Sequence, residues 1–195
     1  MSFRPDTLWP RREAACLVVV DVQENLARAM PADTFPRVTR NLVLLATAAR
    51  TLGLPVLLTE QYPKGLGRTI GPVAEALAGG GTPPTPIEKV DFACTAVPAF
   101  REALQASGRR TVILAGVEAH VCVLQTALGL LEAGYAVQVP ADAVASRTAA
   151  NRQIGVDLMG RAGAVVTSTE TVVFQLLGRA GTPEFKALAP LVKEP

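Results

Sequence analysis

The chain has 195 residues, 49% of them hydrophobic and 18% charged, which suits a packed globule and excludes a disordered chain. Nineteen basic residues against seventeen acidic ones leave a formal charge of +2, and no basic run is longer than Arg11-Arg12 or Arg109-Arg110, so no nucleic-acid partner is expected. No apolar stretch approaches the roughly 20 residues that cross a bilayer, so no membrane partner is expected either.

In chain order, "ACLVVVD" (15–21) reads as a first core strand. It follows Arg11-Arg12, but it is too short for a signal h-region and Asp21 interrupts it, so a cytoplasmic location is expected. A helix is predicted over 36–52, a strand at "LPVLLTE" (54–60) and a short one at "PIEKV" (86–90), then a helix over 97–107. "RTVILAGV" (110–117), "YAVQVP" (135–140) and "AVVTS" (164–168) complete the strands, with helices predicted over 119–133, 148–162 and 169–178. The strands are continuously apolar, as strands buried on both faces are. Gly53, Gly108, Gly134 and Gly163 stand where helices should end before the next strand. This punctuation predicts an α/β doubly wound parallel sheet. Residues 1–195 are expected to form a single domain, with a core of about 14–178 and a C-terminal tail of about 179–195.

Residues 61–96 break the rhythm with many glycines and prolines, and only "PVAEALA" (72–78) looks helical. A connection this long is read as an active-site loop that covers a small-molecule substrate.

Three cysteines without a secretory signal argue against a disulfide framework, and one histidine with no CxxC pair leaves a zinc site short of ligands. No metal and no cofactor are expected: GxGxxG after the first strand, GxxxxGK[ST] and GxSxG are all missing.

In doubly wound sheets ligands bind beyond the carboxyl ends of the strands, and Asp21, Lys89 and Cys122 fall at or near such ends. Taken singly, Asp21 reads equally as a turn former, Lys89 as a solvated lysine and Cys122 as a packing residue. The position of Cys122 in the first turn of a helix points the other way, because free N–H groups and the helix dipole favour thiolate there. Cys16 reads as structural and Cys94 as a bystander near the site. His120 is two residues from Cys122, a spacing that does not make a facing dyad, so it is read as a helix cap or a substrate contact.

Together, "VVVDVQENL", "LLTEQYPKGLG", "IEKVDFACT", "LAGVEAHVCVLQTALGLLEAGY" and "ADAVASR" resemble the isochorismatase-like cysteine hydrolase superfamily, and are most similar to its isochorismatase domain-containing branch. The resemblance implies a three-layer, Rossmann-like fold with a six-stranded parallel sheet and helices on both faces. It implies an Asp-Lys-Cys triad of Asp21, Lys89 and Cys122, and a non-proline cis peptide at Val117-Glu118 that turns the Glu118 and Cys122 N–H groups toward one oxyanion. It also implies a homo-oligomer, a dimer or a tetramer. Metal-dependent nicotinamidases of the superfamily carry an Asp-x-His pair where this chain reads "TEQYPKG", and isochorismatases proper lack the cysteine. The expectation is therefore hydrolysis of a small amide or related C–N bond through a thioester. Vinyl-ether hydrolysis and a non-catalytic binding module are the alternatives. Leu26, Gln61, Phe92 and His120 are the candidate substrate-binding residues.

Overall fold

The computed structural model describes residues 5–193. A short helix α1 (Pro5–Leu8) leads to β1 (Ala15–Val20), followed by α2 (Glu24–Ala29) and the long α3 (Phe35–Leu52). β2 (Val56–Gln61), α4 (Pro63–Leu66), α5 (Gly71–Ala78) and β3 (Ile87–Lys89) come next. A 3-10 turn (Cys94–Ala96), α6 (Pro98–Ala106) and β4 (Thr111–Val117) precede a π-helical turn (Ala119–Val123) that runs into α7 (Leu124–Glu132). The chain then forms β5 (Ala136–Pro140), β6 (Val144–Ala145), α8 (Ala149–Ala162), β7 (Val165–Thr167), α9 (Thr169–Leu177) and α10 (Pro183–Lys193).

The strands form one parallel sheet in the order β3-β2-β1-β4-β5-β7, with β6 paired to β4 off that path. The sheet thus has seven strands rather than the expected six. The extra one is the two-residue β6, which lies beside Gly116 and Val117 at the tip of β4. β1 and β4 are buried along their whole length because both faces are covered. On β1, Leu17 and Val19 join a core with α3, α5, α9 and α10, while Cys16, Val18 and Val20 join a second core with α6, α7 and α8. A continuous apolar run is what such a two-sided strand requires.

Gly53, Gly108, Gly134 and Gly163 all have positive φ, between 68° and 110°, and end helices as the sequence pattern suggests. The expected tail of 179–195 is corrected: most of it is α10. Thr182 caps that helix by accepting from the Phe185 N–H at 3.1 Å. Leu188 is fully buried, and Arg40 donates to the Leu191 and Val192 carbonyls. The 61–96 segment is tied down at its start. Buried Gln23 donates to the carbonyls of Gln61 and Gly67 at 3.0 and 2.7 Å and accepts from the Gln61 N–H at 2.7 Å. Buried Glu60 accepts from the Thr69 N–H and hydroxyl at 2.7 and 2.8 Å and pairs with Arg68 at 2.9 Å. These bonds strap the turn after β2 to the end of β1.

Candidate active site

Parallel pairing brings the carboxyl ends of β1, β2, β3 and β4 to one rim. Val20 is in register with Thr59 on one side and Gly116 on the other, and Gln61 with Lys89. Asp21 follows Val20 and turns the chain with φ 52°, a left-handed conformation that aspartate tolerates better than most residues. Its side chain is fully buried, so its oxygens need partners. Oδ2 accepts from Lys89 Nζ at 2.6 Å and Oδ1 from the Thr59 hydroxyl at 2.7 Å. The Lys89 and Asp21 side chains are both 0% exposed, so this is a desolvated ion pair and not a surface one. Lys89 Nζ also donates to Gln61 Oε1 at 2.7 Å and to the Asp91 and Phe92 carbonyls at 3.2 Å. Four acceptors surround three protons, so the ammonium is held in place.

Cys122 joins the cluster from the π-helical turn, its thiol close enough to feel the charges of Asp21 and Lys89. The first i→i−5 bond of that turn runs from the Val123 N–H to the Glu118 carbonyl at 3.2 Å, so the Cys122 amide stands ahead of the ladder. The Val117–Glu118 peptide is cis. The turn is wedged against α8 at Gly155, where a Cβ would fall 2.6 Å from the Ala119 carbonyl oxygen and 2.8 Å from His120 Cα. Only glycine allows that approach.

One expectation is corrected. The helix-start position was expected to favour thiolate, but the Cys122 thiol is pushed up to about 12. Burial is the largest cause, the Asp21 carboxylate adds to it, and Lys89 offsets only part. The resting group is a neutral thiol beside a carboxylate. Cys94 is also raised, chiefly by burial. Cys16 is likewise pushed up to about 12 by burial, which agrees with its structural reading.

The other candidates separate. Gln61 belongs to the cluster through Lys89, and its Nε2 donates to the Val90 carbonyl at 2.7 Å. Phe92 contributes its carbonyl to Lys89 while its side chain is exposed, with Tyr62 and Val90 also exposed nearby in sequence. A cavity of about 430 Å3 lies against this segment, lined by residues that include Tyr62, Val90, Asp91 and Pro98. His120 is half-buried, its Nδ1 2.9 Å from the Ser146 hydroxyl. Leu26 is half-buried and packs against the core on the α3 side. Glu118 is buried and holds the Arg147 N–H and Nε at 3.1 and 3.0 Å. Thr59, Ser146 and Arg147 were not singled out by the sequence, although a polar Thr59 inside the otherwise apolar "LPVLLTE" was a visible signal. Among the described residues no group of three His, Cys, Asp or Glu side chains is placed to hold a metal ion, and no helix is long and apolar enough to cross a membrane.

Fold and rim together define an α/β protein with a buried Asp-Lys-Cys cluster at the carboxyl end of a parallel sheet. The family model described as the Isochorismatase domain matches residues 15–171, and the chain belongs to that family. The secreted isochorismatase effector Isc1 of Phytophthora sojae (strain P6497) is 39% identical over 186 residues, which cover 93% of this chain and 85% of that protein. Isochorismatase domain-containing protein 2 of Pongo abelii is 36% identical over 184 residues, covering 93% and 84%. Among solved structures, the one titled MAR1 ribonuclease from Caenorhabditis elegans superposes with a TM-score of 0.86 at 37% identity, covering 95% of this chain and 93% of that one. YcaC from Pseudomonas aeruginosa, solved with hexane-2,5-diol and covalent acrylamide, gives a TM-score of 0.85 at 25% identity, covering 98% of each.

Proposed function

We propose that the protein is a cysteine hydrolase that cleaves a small amide or related C–N bond through a thioester on Cys122. The observation that carries this reading is the buried Asp21 carboxylate, held between Lys89 and Thr59 with the Cys122 thiol close enough to feel its charge. As Cys122 Sγ attacks the substrate carbonyl carbon, its proton passes to Asp21, so thiolate need not exist before substrate arrives. The carbonyl oxygen becomes an oxyanion that accepts from the Glu118 and Cys122 N–H groups, a contribution of about 3–4 kcal/mol per donor in comparable sites. Collapse breaks the C–N bond, and Asp21 returns its proton to the leaving amine. Water then attacks the thioester as Asp21 takes its proton, the C–S bond breaks, Asp21 returns the proton to the Cys122 sulfur, and the acid product leaves.

Lys89 has its protons committed to four acceptors. Its role is therefore to hold and neutralise the carboxylate while the proton moves, not to donate to substrate. That saturation also favours an uncharged amide over isochorismate, whose carboxylates would need a free cation. The covalent acrylamide of the YcaC relative supports the reading too, since acrylamide is captured only by a nucleophile. The chain acts in this reading as a single domain over 1–195, in the cytoplasm, as a homo-oligomer, on a small-molecule substrate without nucleic acid.

Turnover of a panel of small amides and isochorismate by the wild type and Cys122→Ala tests the proposal. Amide turnover that is lost in Cys122→Ala supports it. Isochorismate turnover that survives the substitution favours ether hydrolysis, and saturable binding without turnover favours a binding module.

A further inference from the structure

Thr59 is fully buried in β2, and its hydroxyl reaches the cluster at Asp21. Its hydroxyl has one proton, and two neighbours determine where it goes. Asp21 Oδ1 lies 2.7 Å away and, as a carboxylate oxygen, can only accept. On the other side Cys94 Sγ lies 3.8 Å away, placed to donate its S–H to Thr59 Oγ1. Cys94 is fixed in turn, since its N–H donates to the Thr126 hydroxyl at 2.9 Å, one helical turn beyond Cys122. The thiol of Cys94 is held neutral by burial, so it remains a donor. The three side chains form a one-way chain of donors that ends on the carboxylate: Cys94 to Thr59 to Asp21.

We propose that Thr59 is a positioning residue that fixes the rotation of the Asp21 carboxylate and aims its remaining lone pair at Cys122. This rests on the reading of Asp21 as the base for Cys122. Two hydrogen bonds to different oxygens stop a carboxylate from rotating. Lys89 from β3 holds the other oxygen from the opposite side. The groups that face Asp21 are therefore Lys89 on β3, Thr59 on β2, Cys122 on the π-helical turn and, more remotely, Cys94 on the 3-10 turn. Thr59 is the uncharged member of this set that can be removed without changing shape or net charge.

The test needs no substrate: the rate of Cys122 alkylation by iodoacetamide is followed from pH 5 to 9 by peptide mapping in the full chain. Thr59→Val should slow the reaction about tenfold near neutral pH, the effect of losing one hydrogen bond to a charged group. Thr59→Ser, which keeps the hydroxyl, should restore the rate. Cys94→Ala should leave the rate of Cys122 labelling close to that of the wild type, because Thr59 still has Asp21 as its acceptor. A folded Thr59→Val with the wild-type profile, or a Thr59→Ser as impaired as Thr59→Val, overturns the proposal. Asp21→Asn is run alongside: if it labels as fast as the wild type, the base reading itself fails, and that outcome is distinct from a failure of Thr59.

Discussion

Lys89 and Asp21 invite a charge-removal cycle, because their 2.6 Å contact is desolvated on both sides. Lys89→Met keeps the volume of the stem and removes the ammonium. The Asp21 carboxylate then retains only the Thr59 hydroxyl, and it stands as an unpaired charge with no access to water. At an effective dielectric near 20, two unit charges at this distance attract by about 6 kcal/mol, most of which offsets their desolvation. Breaking such a pair from one side costs about 3–5 kcal/mol. Asp21→Asn should be somewhat milder, because Gln61 and two carbonyls still hold the ammonium and asparagine also tolerates the positive φ. The double variant Asp21→Asn/Lys89→Met buries no charge and should return to within about 2 kcal/mol of the wild type. Urea unfolding of the four proteins at pH 7 measures the cycle. A coupling energy of about 3 kcal/mol is expected. Additive effects of the two substitutions, or a Lys89→Met as stable as the wild type, would refute the picture of a desolvated pair.

Alkaline pH should weaken the fold. Cys16 and Cys122 are raised from 9.0 to about 12, so between those values the unfolded chain loses protons that the folded one keeps. Stability should be flat below pH 9 and fall above it by up to about 1.4 kcal/mol per pH unit for each thiol. Urea unfolding between pH 8 and 10.5 should show a shallower decline in Cys122→Ala, and identical slopes would contradict the raised thiol. Gly155→Ala should destabilise the protein by about 1–3 kcal/mol, since its Cβ would fall 2.6 Å from the Ala119 carbonyl oxygen. It should also reduce Cys122 alkylation, while Gly163→Ala, remote from the turn, should leave alkylation unchanged. Native iodoacetamide labelling at pH 7 should favour Cys122, which is 6% exposed, over Cys16 and Cys94, which are 0% exposed. Equal labelling of all three would remove the case for access at Cys122.

The strands and long helices were legible because their signals are local: continuous apolar runs and helix-ending glycines depend on a few adjacent residues. The C-terminal helix was not, since Gly181, Pro183 and Pro190 read as breakers. Pro183 sits at the helix start, where its missing N–H costs nothing, and Leu188 anchors the helix in a core built by α3 and α9. β6 escaped because two residues carry no periodicity, and it exists through its register with the tip of β4. At the site, strand-end positions offered Asp21, Lys89 and Cys122 as candidates, and only the family resemblance joined them as a triad. The state of the thiol was not readable, because it depends on burial and on a carboxylate about a hundred residues away in sequence. Thr59 was missed for the same reason. Its polarity was visible in the strand, but its partner was set by the pairing of β2 with β1.

The central claim is that Cys122 forms a covalent bond with substrate carbon. Acid quenching during turnover of the best amide, followed by peptide mapping, tests it directly. The acyl mass should appear on the Cys122 peptide and not on those of Cys16 or Cys94, and folded Cys122→Ala should lose turnover by about a thousandfold or more. A folded Cys122→Ala that hydrolyses the same amide at the wild-type rate, with no acyl mass on the wild-type Cys122 peptide, would contradict the account.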